Sequence, residues 1–259
     1  MATVVAVCNN KGGVGKTNVS CNLPAFLTLY QKTVLLVDFD HQANATYSLG
    51  FNSKLVPLSI YHALVGQISP IALVRTTALF GFDLLPSSQD LAGAEIELVG
   101  LQNREIKLAE ILESFRPRYD YIFIDCPPSL GLLTVNALVA ADEVLIPVQA
   151  EYLALEGLSQ LLSTIELARR NLGKDLRDLR ALLTMHDRRS RICREVETNL
   201  RNNFPGYVFQ TTIPRASVLA EAPKFGRTIL HHAPESKATK AYRQLAEEFL
   251  KLHENSEKV

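Results

Sequence analysis

The 259-residue sequence has no run of about 18 uninterrupted apolar residues, the length that a membrane-crossing helix needs. Its longest candidate, VNALVAADEVLIPV, is broken by Asp142 and Glu143. The opening MATVVAVC lacks a basic segment ahead of its apolar one, so it does not read as a secretory signal, and a soluble cytosolic protein is expected. The four cysteines, at positions 8, 21, 126 and 193, show neither C-x-x-C spacing nor a histidine at zinc-ligand distance, which leaves buried free thiols in a reducing compartment. No repeat, low-complexity stretch or linker rich in Gly, Ser and Pro divides the chain, so residues 1–259 are expected to form a single domain. Net charge is also lacking, since 27 lysines and arginines balance 27 acids. That zero conceals a split. Residues 1–168 hold 9 cations against 16 acids, a net of −7, and residues 169–259 hold 18 against 11, a net of +7. Such asymmetry can create a local positive field on a neutral molecule.

With 47% hydrophobic residues the chain can bury a large core. Short apolar runs without alternation recur at 3–8, 33–38, 82–87, 121–125, 143–148, 179–185 and 207–213, and they read as strands covered on both faces. Segments of helical period fall between them, near 16–31, 90–115, 131–140, 154–171, 190–203 and 235–253. The expected fold is therefore α/β: a mostly parallel, twisted sheet flanked by helices on both faces. Pro24, inside the first of these helices, predicts a bend of packing origin.

The stretch NNKGGVGKTN, residues 9–18, follows the first strand and opens the first helix. The common phosphate loop reads G-x-x-x-x-G-K-[ST], and counting back from Gly15, Lys16 and Thr17 puts its first glycine where Asn10 stands. Gly12, Gly13 and Gly15, with Val14 between them, let backbone N–H groups approach phosphate oxygens at a helix N-terminus. Lys16 is then expected to reach the β and γ phosphates, and Thr17 to ligate Mg²⁺. Asp125 ends an apolar strand, where a carboxylate can hold the same metal through water. Lys11 sits at the loop entrance, pointing away from its own helix start and free to meet a nucleotide on another molecule.

On these residues the sequence resembles the deviant Walker-A ATPases of the ParA and MinD group, whose loop is K-G-G-x-G-K-[ST] with a leading signature lysine. VLLVDFDHQANAT looks like the family's switch I, YDYIFIDCPPSLGLLTVNAL like its Walker-B and switch II region, and LLTMHDRRSR, TTIPRASVLAEAPKFGRTIL and SKATKAYRQLAEEF like the C-terminal half of short chromosomal-type, or Soj-type, ParA proteins. The resemblance implies one P-loop ATPase domain that binds ATP and Mg²⁺, hydrolyses ATP weakly on its own, and forms a homodimer with ATP sandwiched at the interface. It implies that Lys11 contacts the partner's phosphates, that Asp40 orients or activates the attacking water, and that Asp38 supports the metal end. A solvated turn is the alternative for both acids. Three departures stand out. Asn18 replaces a Thr or Ser that touches the α-phosphate, and His41 and Ala43 replace the usual Pro and Gly of switch I, while Gln42 and Asn44 are retained. Adenine recognition is implied near Met185 and Pro214.

Arg188, Arg189, Arg191, Arg194, Arg201, Arg215, Lys224 and Arg227 form a cation-rich stretch with only Glu195, Glu197 and Glu221 among them. A solvated, paired face is the alternative reading. The resemblance implies nonspecific binding of double-stranded DNA through Arg188, Arg189, Arg191, Arg215, Lys224 and Arg227, although Val218 stands where an arginine is frequent. It further implies a cytoplasmic, nucleoid-associated protein for chromosome or plasmid partition or positioning of another cargo, stimulated by a ParB-like or other cargo adaptor. No recognition helix precedes the first strand, so operator-specific repression is not expected. Two other classes share the fold. A MinD-like membrane ATPase would use an amphipathic C-terminal helix, and the stripe Tyr242, Leu245, Phe249 and Leu252 exists, but its polar side mixes Glu with Lys. An iron–sulfur protein would need two suitably placed cysteines, and only Cys126 falls near switch II.

Overall fold

In the computed structural model, which describes residues 1–53, 55–151, 154–173, 176 and 178–256, the apolar runs become adjacent strands of one sheet. The strands are β1 (Thr3–Val7), β2 (Val34–Asp38), β3 (Arg75–Thr76), β4 (Phe82–Leu85), β5 (Tyr121–Asp125), β6 (Glu143–Gln149), β7 (Asp178–Thr184) and β8 (Tyr207–Val208). They lie in the order β3-β4-β2-β5-β1-β6-β7-β8, and every pairing is parallel except β3 with β4. The connecting helices are α1 (Lys16–Leu27), α2 (Asn44–Ser48), α3 (Ile60–Leu64), α4 (Leu91–Val99), α5 (Lys107–Glu113) and α6 (Leu132–Ala140). They continue with α7 (Ala154–Leu172), α8 (Arg191–Asn203), α9 (Ser217–Glu221), α10 (Ile229–His232) and α11 (Lys237–Ser256).

Two apolar layers explain why the strands read as unbroken hydrophobic runs. Along β1, Val4 and Ala6 pack into one layer with α4, α5, α6, α7 and α8, whereas Val5 and Val7 pack into the other with α1 and α11. A strand buried on both faces has no solvent side to carry polar residues. The stripe on α11 joins the second layer: Tyr242, Leu245 and Phe249 are fully buried, and Phe249 packs on Tyr121 and Phe123 with centroids 5.3 and 5.9 Å away.

Several expected boundaries change, each for a local reason. The helix expected over 90–115 is cut into α4, a 3₁₀ turn at Arg104–Ile106 and α5, because Asn103 adopts a left-handed φ of 56°. The strand expected over 207–213 is regular only at Tyr207–Val208. Beyond it the backbone still reaches the sheet through Phe209 N–H to Ala181 O and Ile213 N–H to Leu183 O. The antiparallel β3 was not expected; two residues are too few to show a period. Helix α1 continues through Pro24 to Leu27, although the missing N–H deprives the Ser20 carbonyl of its helical donor. The short α2, α3, α9 and α10 were likewise not expected.

Removing the ring that ties α11 to the sheet tests this packing. Phe249→Ala should lower the unfolding free energy by about 3–5 kcal/mol in urea denaturation, the range for a fully buried aromatic.

Candidate functional site

The parallel strands β1, β2, β5, β6 and β7 all deliver their C-terminal ends to one edge of the sheet, and a cleft of about 660 Å³ opens there. Crevices beyond the carboxyl ends of parallel strands are where such sheets bind ligands. Gly12, Gly13, Gly15, Lys16 and Thr17 form its floor. Gly13 and Gly15 have φ of 75° and 94°, the left-handed region that glycine enters without penalty. Val14 is buried, and its carbonyl accepts a 2.8 Å hydrogen bond from Thr184 Oγ1, which pins the loop to the end of β7. Asn9 braces the loop from below, its Nδ2 donating to Pro147 O at 2.7 Å and its Oδ1 accepting from Lys11 N at 3.0 Å. The missing first glycine is explained by Asn10, which needs no positive φ and sends its Nδ2 to Gln160 Oε1 on α7 at 2.9 Å.

The two lysines of the loop diverge. Lys16 is buried at the cleft floor and donates to the Lys11 carbonyl at 3.1 Å, with burial pulling its pKa down and Asp125 opposing that pull. Lys11 is not part of the cleft lining. Its Nζ lies 3.5 Å from Glu151 Oε2, and the same carboxylate takes Arg215 Nη2 at 3.4 Å and Gln149 Nε2 at 2.6 Å. Glu151, two residues beyond β6, gave no sequence signal because its role depends on two residues far away in the chain.

Beneath the loop two carboxylates face each other, since Asp38 of β2 is in register with Asp125 of β5. Asp125 accepts Thr17 Oγ1 and Ser20 Oγ, both at 2.8 Å. A hydroxyl and a carboxylate converging at the loop are hard oxygen donors of the kind Mg²⁺ takes. Asp38 lies deeper. It is fully buried, does not line the cleft, and its Oδ2 accepts both the N–H and the hydroxyl of Thr46 at 2.7 Å while Oδ1 accepts Asp40 N at 3.3 Å. Its carboxylate thus holds the start of the switch segment, and its geometry suits support of that segment rather than a direct metal contact. Asp40 does line the cleft, with Oδ1 capping Gln42 N at 3.0 Å. Ala43 sits at φ 52°, where the glycine usual in switch I would be unstrained.

The cleft's outer wall is assembled from segments remote in sequence. Asn18 donates from Nδ2 to Leu219 O at 3.0 Å, and Asn22 Oδ1 accepts Ile229 N at 2.7 Å, so α1 is stitched to the α9–α10 region. Leu219, Pro223 and Tyr47 line this wall and were missed by the sequence reading. Met185 lines the cleft, with a left-handed φ of 50°. Pro214 does not. It pairs by an isolated bridge with His186 and lines a separate depression, because the bridge carries the chain away from the loop. The basic residues do not gather in one place either. Arg188 and Arg189 lie in the loop before α8, Arg191 opens that helix, Arg215 is held by Glu151, and Lys224 and Arg227 sit on the rim of the cleft itself. Cys8, beyond the end of β1, proves to lie beside Cys126, with their Sγ atoms 2.8 Å apart. Both thiols are buried, and burial together with the neighbouring thiol pushes the Cys126 pKa well up, which is the environment of an inert cysteine.

A glycine-rich loop joining the first strand and helix of a parallel sheet, with a lysine at the cleft floor and a buried strand-end aspartate beneath the loop, defines a P-loop nucleotide-binding protein. The AAA domain family matches residues 2–178. The sporulation initiation inhibitor protein Soj of Bacillus subtilis (strain 168) is 47% identical over 248 residues, covering 96% of this chain and 98% of its own length. The chromosome partitioning protein ParA of Myxococcus xanthus is 45% identical over 248 residues, covering 96% and 88%. Among solved structures, cobyrinic acid a,c-diamide synthase from Mycobacterium smegmatis with bound ATP analog and magnesium superposes with a TM-score of 0.84 at 39% identity, covering 96% of this chain and 94% of that one. The chain belongs to the ParA/Soj family of partition ATPases.

The paired carboxylates give a pH test. Burial, and after it the charge of Asp125, raises the Asp38 carboxyl far above the ordinary carboxylate range; burial also raises Asp125, opposed by the hydrogen bonds from Ser20 and Thr17. A carboxyl whose pKa is higher folded than unfolded takes up protons on folding, so its contribution is full at low pH and lost as pH rises through the folded value. Urea titrations of the ligand-free protein should show stability falling between pH ~4 and neutrality, with Asp38→Asn flattening that slope; a wild-type profile rising across this window would contradict the assignment.

Proposed function

We propose that this chain is an ATP-driven partition switch: ATP and Mg²⁺ load the cleft, two loaded subunits dimerise face to face, the dimer binds DNA without sequence preference, and a cargo-bound adaptor triggers hydrolysis and release. The observation that carries this reading is the divergence of the two lysines. Lys16 occupies the cleft floor, whereas Lys11 stands outside the cleft on a loosely held, partly exposed ion pair with Glu151. An exposed pair of this kind is worth little, so Lys11 can exchange Glu151 for a phosphate offered by a second subunit. Binding of ATP and Mg²⁺ is supported by the oxygen donors at the loop and by the nucleotide and magnesium in the synthase structure.

When bound, the metal would neutralise phosphate charge and order the phosphate oxygens, held through Thr17 Oγ1 and Asp125. The chain's own groups do the rest. Loop N–H groups and Lys16 bind phosphate oxygens, Lys11 of the second subunit adds a cation as charge moves toward the leaving oxygen, and Asp40 at the cleft accepts a hydrogen bond from the attacking water and orients it. With the hydrolytic groups split between subunits, an isolated subunit hydrolyses ATP weakly.

Partition is favoured over the synthesis named for the M. smegmatis protein because the higher identities over nearly the full chain are to Soj and ParA. DNA is favoured over a membrane surface because the apolar stripe of α11 is spent in the core. Among the described residues no helix is long and apolar enough to cross a bilayer. The protein then works in the cytoplasm on the nucleoid.

Light scattering and DNA retention test the cycle. Lys11→Ala should still bind nucleotide but form no ATP-dependent dimer, and Asp40→Ala should form dimers that stay on DNA with hydrolysis reduced ~100-fold or more. ATP-independent retention on DNA by both variants would refute it.

A further inference from the structure

The cations of the C-terminal half divide by what they hold. Arg189 meets Asp187 at 3.3 Å, Arg191 meets Glu195 at 2.7 Å, Arg201 meets Glu197 at 2.9 Å and Arg215 meets Glu151 at 3.4 Å. Arg194 donates instead to the carbonyls of Arg188 and Arg189, at 2.8 and 3.3 Å. Among the described residues, no carboxylate lies in ion-pair reach of Arg188, Lys237 or Lys240. These three exposed cations line one depression of about 280 Å³. Thr212 and Gln244 add a hydroxyl and an amide to its lining, which includes no acid. Two acids adjoin the lining and both are engaged: Asp187 is paired with Arg189, and Glu197 has Oε2 3.0 Å from His186 Nε2 and Oε1 accepting two N–H groups of Arg201.

Helical spacing explains the arrangement. Lys237, Lys240 and Gln244, at i, i+3 and i+7 of α11, share one face, while Ala238, Tyr242 and Leu245 face the core. Like charges three apart on a helix repel, and a third cation from the loop before α8 adds to that repulsion. An anion seated among the three removes it.

We infer that this depression is a phosphate-group site in which Arg188, Lys237 and Lys240 converge on one phosphate, supplied by the backbone of duplex DNA. The choice of DNA rests on the proposed function; the phosphate chemistry rests on the cations themselves. Lysine is a point-charge phosphate binder and arginine adds a donor fork, so the set reads charge and shape and ignores base sequence. It places the first turn of α11 on the DNA-facing surface, beside residues that the sequence reading had assigned there.

The test is fluorescence anisotropy of a labelled duplex with ATP and Mg²⁺ over a salt series, using the full chain. The double variant Lys237→Ala/Lys240→Ala should bind ~10-fold or more weakly, with a salt slope smaller by about 1, while Lys251→Ala, an exposed lysine farther along the same helix, should match wild type. A folded double variant within twofold of wild type in both quantities would overturn the site while leaving DNA binding intact. If wild type itself fails to bind duplex, the DNA reading is lost, and inorganic phosphate titrated against the backbone amide resonances of residues 237–244 decides the rest. Saturable shifts that vanish in the double variant assign the site to free phosphate, and their absence overturns it.

Discussion

The in-register contact between Asp38 and Asp125 at the ends of β2 and β5 is the constraint around which the site is arranged. Two carboxylates buried side by side raise each other's cost of ionisation, and the surrounding groups answer that cost. Thr46 spends both of its donors on Asp38, Thr17 and Ser20 spend theirs on Asp125, and Lys16 lies close enough to be held up by the Asp125 charge. The loop, the first helix and the switch segment are therefore tied to the same pair of charges. Under the proposed function, a divalent cation held beside Asp125 would change the balance for all three at once.

A second arrangement links the loop to the opposite half of the chain. Glu151 holds Lys11 and Arg215 together, one from the phosphate loop and one from the cation-rich C-terminal stretch. Both contacts are long and solvent-accessible, so they position the two cations without trapping them. The +7 charge of residues 169–259 is in turn less available than its sum suggests, because several arginines of that stretch sit on carboxylates. Which cations can meet a polyanion is a question of pairing, and composition is silent on pairing.

The central strands, the helices α1, α6, α7, α8 and α11 and the floor of the phosphate loop were legible in the sequence. Unbroken apolar runs, helical periods and the G-G-x-G-K-T spacing are local patterns, set by burial on two faces, by 3.6-residue repeats and by the backbone freedom of glycine. What failed was whatever hinged on a single residue's φ, as at Asn103, or on segments too short to show a period, as at β3 and α9. Cys8 beside Cys126 belongs to the same class, since strand order rather than spacing made them neighbours.

The sequence by itself determined a parallel α/β sheet with a phosphate loop at the carboxyl edge, because those features follow from hydrophobic period and loop chemistry within a few residues. Tertiary structure alone decided that Leu219 and Pro223, not Pro214, wall the cleft, that Asp38 serves Thr46 beneath it, and that Lys11 and Arg215 share Glu151. Those contacts join groups up to about two hundred residues apart, and their energies depend on distance and burial, which exist only once the chain has closed on itself.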